Sequence, residues 1–153
     1  MTEPIFTTPS AVIVLLIREN AGKKQVLCQR RANTGFGDGK YDFSFSGKVE
    51  KGESMTVAAV REAKEELGIN IKADDLKFIC LVHKRDEECD VTFVNAYFVC
   101  SFFEGSPKIV ETDKCSQLGW FDLDALPEDI LDDRKKVLDC YKNGIDFLEY
   151  GWE

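Results

Sequence analysis

The chain has a single histidine, His83, and no two of its six cysteines (Cys28, Cys80, Cys89, Cys100, Cys115 and Cys140) stand in a Cys-x-x-Cys pair. A Cys/His zinc site therefore has few ligands to draw on. Most of the thiols read as small buried hydrophobes in a reducing compartment, the alternative being a reactive thiol among them. No apolar run approaches the roughly 20 residues that cross a bilayer. The opening Met-Thr-Glu-Pro-Ile-Phe lacks the basic segment and apolar stretch of a signal peptide, so a cytoplasmic protein without a membrane partner is expected. Basic residues are outnumbered, 20 Lys and Arg against 28 Asp and Glu for a formal charge of −8. That argues against nucleic-acid binding through a broad basic face and leaves room for a small anionic substrate brought in by metal ions and a few local cations. Repeats, low-complexity tracts and linkers are also missing. One domain over residues 1–153 is expected, long enough to bury a core without disulfides.

Residues 11–17, Ala-Val-Ile-Val-Leu-Leu-Ile, form a β-branched apolar run that suits a central strand covered on both faces. Asn20-Ala21-Gly22-Lys23 turns the chain into a second strand, Gln25 to Arg31. Residues 32–40 hold three glycines in nine positions and read as a loop. No Lys-Ser/Thr pair or helix pattern follows, so this is no P-loop. Tyr41 to Ser46 alternates aromatic and polar residues as a strand does. Leu76–Lys84 and Val91–Phe103 form a second hairpin around a charged turn, Leu118–Leu123 a short strand, and 132–143 a helix capped by Asp132 or Asp133 and stopped by Gly144. The aromatic end, Phe147 to Trp152, is expected to pack onto the domain. The elements predict an α+β protein, a mixed β-sheet between helices in an α/β/α sandwich.

Between Gly47 and Ile69 five glutamates fall in one short segment. Ser54 can cap a helix from Met55 to Leu67 that ends at Gly68. Glu62, Glu65 and Glu66, at i, i+3 and i+4, then share one face. Val57, Val60, Ala63 and Leu67 cluster on another side, which predicts an apolar side and an acid side. Such a face is either a solvated one or a platform that relieves its own repulsion by holding a cation through oxygen ligands.

The segment resembles the Nudix hydrolase signature, Gly-x5-Glu-x7-Arg-Glu-U-x-Glu-Glu-x-Gly-U with U apolar, at every fixed position. Gly47, Glu53, Arg61, Glu62, Glu65, Glu66 and Gly68 match, with Ala63 and Ile69 in the apolar slots. At ordinary residue frequencies seven such coincidences have a probability on the order of 10⁻⁹ per start position. The resemblance implies the Nudix fold and hydrolysis of a nucleoside diphosphate linked to a further group. It also implies Mg²⁺, with Mn²⁺ as the alternative, held by Glu62, Glu65, Glu66 and a backbone carbonyl near Ser46 or Gly47. Glu53 and Arg61 would brace the helix. Clustered carboxylates holding a divalent ion suit phosphoanhydride cleavage, which needs phosphate charge neutralised and a water deprotonated.

The resemblance places the general base variably: in the loop before the penultimate strand, filled here by Glu111, or at Glu62 or Glu65. Arg31 resembles the family's phosphate-contacting arginine, and Lys48 lies beside the metal loop. Phe36, His83 and Asn95 are candidates for contacts to a base. Where many members carry Pro-Gly-Gly or Pro-Ala-Gly, this chain has Phe45-Ser46-Gly47. The proline or tyrosine that marks ADP-ribose or dinucleoside polyphosphate branches is missing from Lys84-Arg85-Asp86-Glu87. The expected reaction is hydrolysis of a nucleoside triphosphate, modified or not, to the monophosphate and pyrophosphate by a monomer or homodimer. The alternatives are a nucleoside diphosphate sugar or dinucleoside polyphosphate hydrolase, or a ligand sensor without turnover.

Overall fold

The computed structural model describes residues 3–88 and 90–153; Cys89, one of the six cysteines, most of which read as buried thiols, lies outside them. Strand β1 (Ser10–Asn20) runs through the middle of the molecule. Its first part pairs in parallel with β6 (Val91–Cys100) and antiparallel with β4 (Phe45–Lys48), and its end pairs with β2 (Lys23–Arg31). The turn between β1 and β2 places Ala21 and Gly22 at positive φ, the geometry that matches the twist of a tight hairpin. β2 also carries β3 (Tyr41–Phe43) and β7 (Cys115–Asp122), while β5 (Leu76–Asp86) pairs with β6 and with the short terminal strand β8 (Phe147–Tyr150). Parallel and antiparallel pairs make the sheet mixed, as expected. No helix among the described residues is long and apolar enough to cross a membrane.

Alternation along β1 divides the core. Val12, Val14 and Leu16 point to one face and pack under α1 (Met55–Glu62); Ile13, Leu15 and Ile17 point to the other and pack under α2 (Asp132–Lys142). A strand buried on both faces explains the unbroken apolar run in the sequence.

Three local expectations need correction. Tyr41 to Ser46 is two strands rather than one: the chain leaves β2 and joins β1 at Ser44. The Ser44 hydroxyl donates to Leu27 O (2.7 Å) and accepts from Leu16 N (2.8 Å), filling the ladder at the switch, which is why a serine is fully buried there. Second, α2 is capped at Leu131 with no side-chain hydrogen bond; neither Asp132 nor Asp133 is the cap, and Asp133 is drawn inward by two cations instead. Third, α1 does not set its acids opposite its buried face. Ala63 and Leu67 are buried and Val60 packs on the core as expected, but Val57 is exposed while Ala58 and Ala59 are fully buried, and Glu62 lies at the edge of the inward side. Two methyl side chains let the helix approach the sheet more closely than two valines would.

Past Glu62 the helix widens into a π-helical turn over Ala63–Leu67, and Gly68 closes it at φ 67°, the left-handed cap a glycine adopts without penalty. The carbonyls of Glu66 and Leu67 have no partner within the helix at this end. They accept from Val110 N (3.2 Å) and Lys108 N (3.1 Å), which ties the loop bearing Glu111 to the acid turn.

Candidate active site

Arg61 organises the acidic segment. Its guanidinium donates to Glu53 (2.7 and 3.1 Å), Glu62 (2.8 Å), Glu65 (3.2 Å) and the carbonyl of Lys48 (3.1 Å). Glu53 in turn accepts from Glu50 N (2.8 Å). The hydrogen bond from Arg61, then that from Glu50, hold the Glu53 carboxyl below its ordinary range. Loop and helix are thereby fixed to each other by planar, multiply bonded contacts rather than one flexible pair.

Glu62 and Glu66 meet at the platform's centre. Burial raises the Glu62 carboxyl, partly offset by hydrogen bonds with Glu66 and Arg61. Glu66 lies well above its ordinary range, first through burial and then through Glu62, with Glu111 and Asp42 adding to it. Two neighbouring carboxyl groups oppose each other's ionisation, and a cation held between them relieves that opposition. Their all-oxygen donor set fits a hard divalent ion. Glu65 is half exposed and turned to Arg61, and among the described residues no three acidic, histidine or cysteine side chains are already gathered as a metal cluster. Gly47 lies against Glu62 so closely that a Cβ there would overlap the carboxylate. Beside it Ser46 N donates to Glu66 (3.3 Å).

Across β4 lies a cavity of ≈ 500 Å³ on the α2 face of the sheet, lined by Ser46, Gly47 and Lys48 at one end and by Arg31, Phe36, Lys84, Asn95 and Arg134 among others. Four sequence candidates thus converge: Arg31, Lys48, Phe36 and Asn95. His83 does not. Side chains alternate along β5, so Lys84 and Asp86 face the cavity, while the His83 ring lies beside that of Trp152 (4.5 Å) and its carbonyl accepts from the indole N–H (2.9 Å). Glu111 is outside the cavity wall but close enough to Glu66 to act on it electrostatically. A larger hollow of ≈ 630 Å³ around Arg18, Lys72 and Phe102 includes no residue of the acidic segment.

Sequence reasoning missed the cavity's charged floor. Arg134, 5% exposed, donates to Asp42 (2.7 and 3.3 Å), Asp133 (2.8 Å) and Tyr97 Oη (3.0 Å). Asp42 accepts also from Arg31 (2.8 Å), and Asp133 from Lys84 (3.0 Å). One signal existed: an arginine in the first turn of a helix opposes the macrodipole, which invites a search for a buried partner.

Residues 7–140 match the family described as NUDIX domain. The chain belongs to the Nudix hydrolase family. An oxidized purine nucleoside triphosphate hydrolase of Danio rerio is 32% identical over 127 residues, 80% of this chain and 72% of that protein. A dihydroneopterin triphosphate diphosphatase of Escherichia coli is 32% identical over 79 residues, 52% of this chain; the match spans about half of that relative's length, 49%. Among solved structures, a MutT NUDIX hydrolase from Burkholderia pseudomallei superposes with a TM-score of 0.76 at 26% identity, covering 88% of this chain and 98% of that one. The Nudix fold accounts for the layout above: the acidic helix on one face of β4 and the cavity on the other.

Proposed function

We propose that this Nudix protein is a divalent-metal-dependent pyrophosphohydrolase that cleaves a nucleoside triphosphate to the monophosphate and pyrophosphate in a cytoplasmic setting. The observation that carries this is the pair Glu62 and Glu66, held beside each other with Arg61 on Glu62, and joined to a cavity large enough for a nucleoside through Ser46 and Gly47, which line that cavity and touch the two carboxylates. Two relatives named for hydrolysis of triphosphates on bicyclic heterocycles support the substrate class. Glu62 and Glu66, with Glu65, would hold Mg²⁺ or Mn²⁺, which supplies charge neutralisation on the phosphate oxygens and lowers the pKa of water.

This chain's own residues do the remainder. Lys48 and Arg31, which both line the cavity, offer cations to the phosphate chain. Water attacks the α- or the β-phosphorus, the P–O bond of the α–β anhydride breaks, the bridging oxygen leaves with the bonding electrons on pyrophosphate or on the monophosphate respectively, and the water's proton passes to a carboxylate. Glu111 suits that role: its loop is tied to the acid turn, and its carboxylate is 36% exposed, with only a loose 3.9 Å ionic contact, to Lys114, among the described residues. Glu111→Gln is expected to lower kcat about 10²-fold with little change in KM. A wild-type kcat would leave Glu62 or Glu65 as the base.

Incubation with a nucleoside triphosphate panel and Mg²⁺, with products separated by anion-exchange chromatography, tests the reading. Monophosphate plus pyrophosphate is expected; diphosphate plus phosphate, or binding without any product, overturns it. Gly47→Ala is expected to displace the Glu62 carboxylate and cut kcat by about 10²-fold, the scale of a 1 Å misplacement. A change under about threefold would remove Glu62's position from the mechanism.

A further inference from the structure

Of the five charged side chains that line the cavity, Arg31, Lys84 and Arg134 are ion-paired with Asp42 or Asp133, and Lys48 is offered to the phosphates. Asp86 is left. Its Oδ1 accepts from Glu88 N (3.0 Å), and no other hydrogen bond or ion pair reaches the carboxylate among the described residues, so most of its acceptor capacity stays open. Asn95 Oδ1 and Arg30 Nε also lack partners, but both are closed off from solvent and offer nothing to a ligand. An acid in a cavity that takes a polyanion repels the phosphates, so it must meet the other end of the substrate. The topology puts it there. Ser46 and Gly47, which touch the paired glutamates, stand on β4, whereas Asp86 stands on β5, with β1 and β6 running between them. Three inter-strand spacings separate the two, roughly 14 Å. Phosphates at the acid platform therefore leave the base at β5.

Lys84 precedes Asp86 by two residues on the same face of β5, about 7 Å along the strand. Its side chain is 11% exposed, and Nζ donates to Asp133 at 3.0 Å and to no other acceptor among the described residues, so N–H groups remain for a ligand. Asp133 is itself held by Arg134, which makes it the positioning residue for the ammonium group. Beside the pair, Val91 and Phe93 of β6 supply apolar wall. The Phe36 ring closes the same end, 4.4 Å from Nζ to its centroid and 37% exposed. The cavity therefore presents, in order along β5, a cationic donor and then a carboxylate, next to an aromatic face.

We propose that Lys84 and Asp86 read the edge of a 2-amino-6-oxo purine, with Phe36 against the ring's face. That edge runs acceptor, donor, donor: O6 accepts from Lys84, and N1–H and the 2-amino N–H donate side by side to the Asp86 carboxylate. Two parallel N–H groups on one carboxylate form the fork that makes charge-assisted bonds strong and fixes their orientation. A 6-aminopurine turns an amino group to Lys84 and an unprotonated ring nitrogen to Asp86, which leaves both without a partner. A 6-oxopurine that lacks the 2-amino group keeps O6 and N1–H but loses half of the fork. This selectivity rests on the triphosphate reading above, and two measurements keep the two apart.

The first compares GTP with ITP, which differ only in the 2-amino group. The wild type is expected to favour GTP by about tenfold or more in kcat/KM. Asp86→Asn should bring the ratio to within about twofold, mainly by raising KM for GTP, with kcat held within about threefold because Asp86 touches no reacting atom. The amide oxygen still accepts from Glu88 N, so the turn is kept. An aspartate that served only this turn would leave the GTP/ITP ratio where it was. Lys84→Met should raise KM for GTP and ITP together, since both carry O6; an unchanged KM for GTP removes Lys84 from the assignment. The second measurement is calorimetric binding of GMP against IMP without metal. Turnover of no nucleoside triphosphate overturns the hydrolase reading, and the GMP/IMP ratio then still judges the pocket. Equal affinity for GMP and IMP, no binding of GMP at millimolar concentration, or a GTP/ITP ratio that Asp86→Asn leaves unchanged overturns the assignment of the purine edge.

Discussion

In Glu66→Gln, turnover of a nucleoside triphosphate is expected to fall by about 10²-fold or more while the melting temperature stays level or rises. The two halves of this outcome come from the same contacts. Glu66 is pressed against Glu62, with Glu111 and Asp42 adding further negative potential, and its carboxyl sits well above the ordinary range because burial and like charge both oppose ionisation. An amide of the same shape removes that repulsion and can still accept the 3.3 Å hydrogen bond from Ser46 N. The free protein therefore loses little. What it loses is an anionic oxygen where a divalent ion and a phosphate chain must be held. Steady-state kinetics across a Mg²⁺ titration, paired with thermal unfolding, decide the point. Glu65→Gln belongs in the same experiment: Glu65 is half exposed and shares Arg61. Near-normal kcat in both variants would remove these carboxylates from the chemistry, and a fall in stability parallel to activity would mean that Glu66 serves the fold.

The acidic segment was legible because its information is local. Seven fixed residues, a serine cap and a terminal glycine are all specified within 23 consecutive positions, and helical periodicity puts the glutamates together whatever the rest of the chain does. The central strand was legible for the same reason: Ala11 to Ile17 is apolar throughout because both faces are covered. The inward side was right at Val60, Ala63 and Leu67 but not at the start of the helix. Valine outranks alanine in any apolarity count, yet Ala58 and Ala59 go inward and Val57 outward, since close packing against β4 selects for small volume rather than hydrophobicity. His83 and Lys84 are a second instance. Both were placed on a strand correctly, but which of two neighbours faces the cavity depends on which face of the sheet bears it, and that is set by strands distant in sequence. Asp42 and Arg134 were invisible for the deepest reason. Each alone reads as a surface charge, and each is buried only because the other, 92 residues away, is buried against it.

That pair carries the largest expected change in stability. Asp42→Asn is expected to cost about 3–5 kcal/mol, or about 10 °C in melting temperature for a chain of this length. The carboxylate is fully buried and accepts from Arg134, Arg31 and its neighbour Phe43 N, so the substitution leaves one guanidinium 5% exposed and another short of its partner. Removing both buried partners as Asp42→Leu with Arg134→Leu should cost less than the two single changes summed, because the penalty of a single change lies mostly in the charge left behind. Acidity probes the same network through Asp133. Burial works against its ionisation, but Arg134 and Lys84 outweigh it and hold the carboxyl below its ordinary range. Its contribution is then complete above the unfolded-state value near about pH 4 and fades as pH drops through the lower folded value. In Asp133→Asn the fall in stability on acidification should therefore be shallower below about pH 4 than in the wild type. Urea unfolding of the five variants and the wild type at pH 7, repeated in acid for Asp133→Asn and the wild type, measures all of this. A cost under about 1 kcal/mol for Asp42→Asn would mean that solvent reaches the floor of the cavity and that Arg134 is held there by packing rather than by charge.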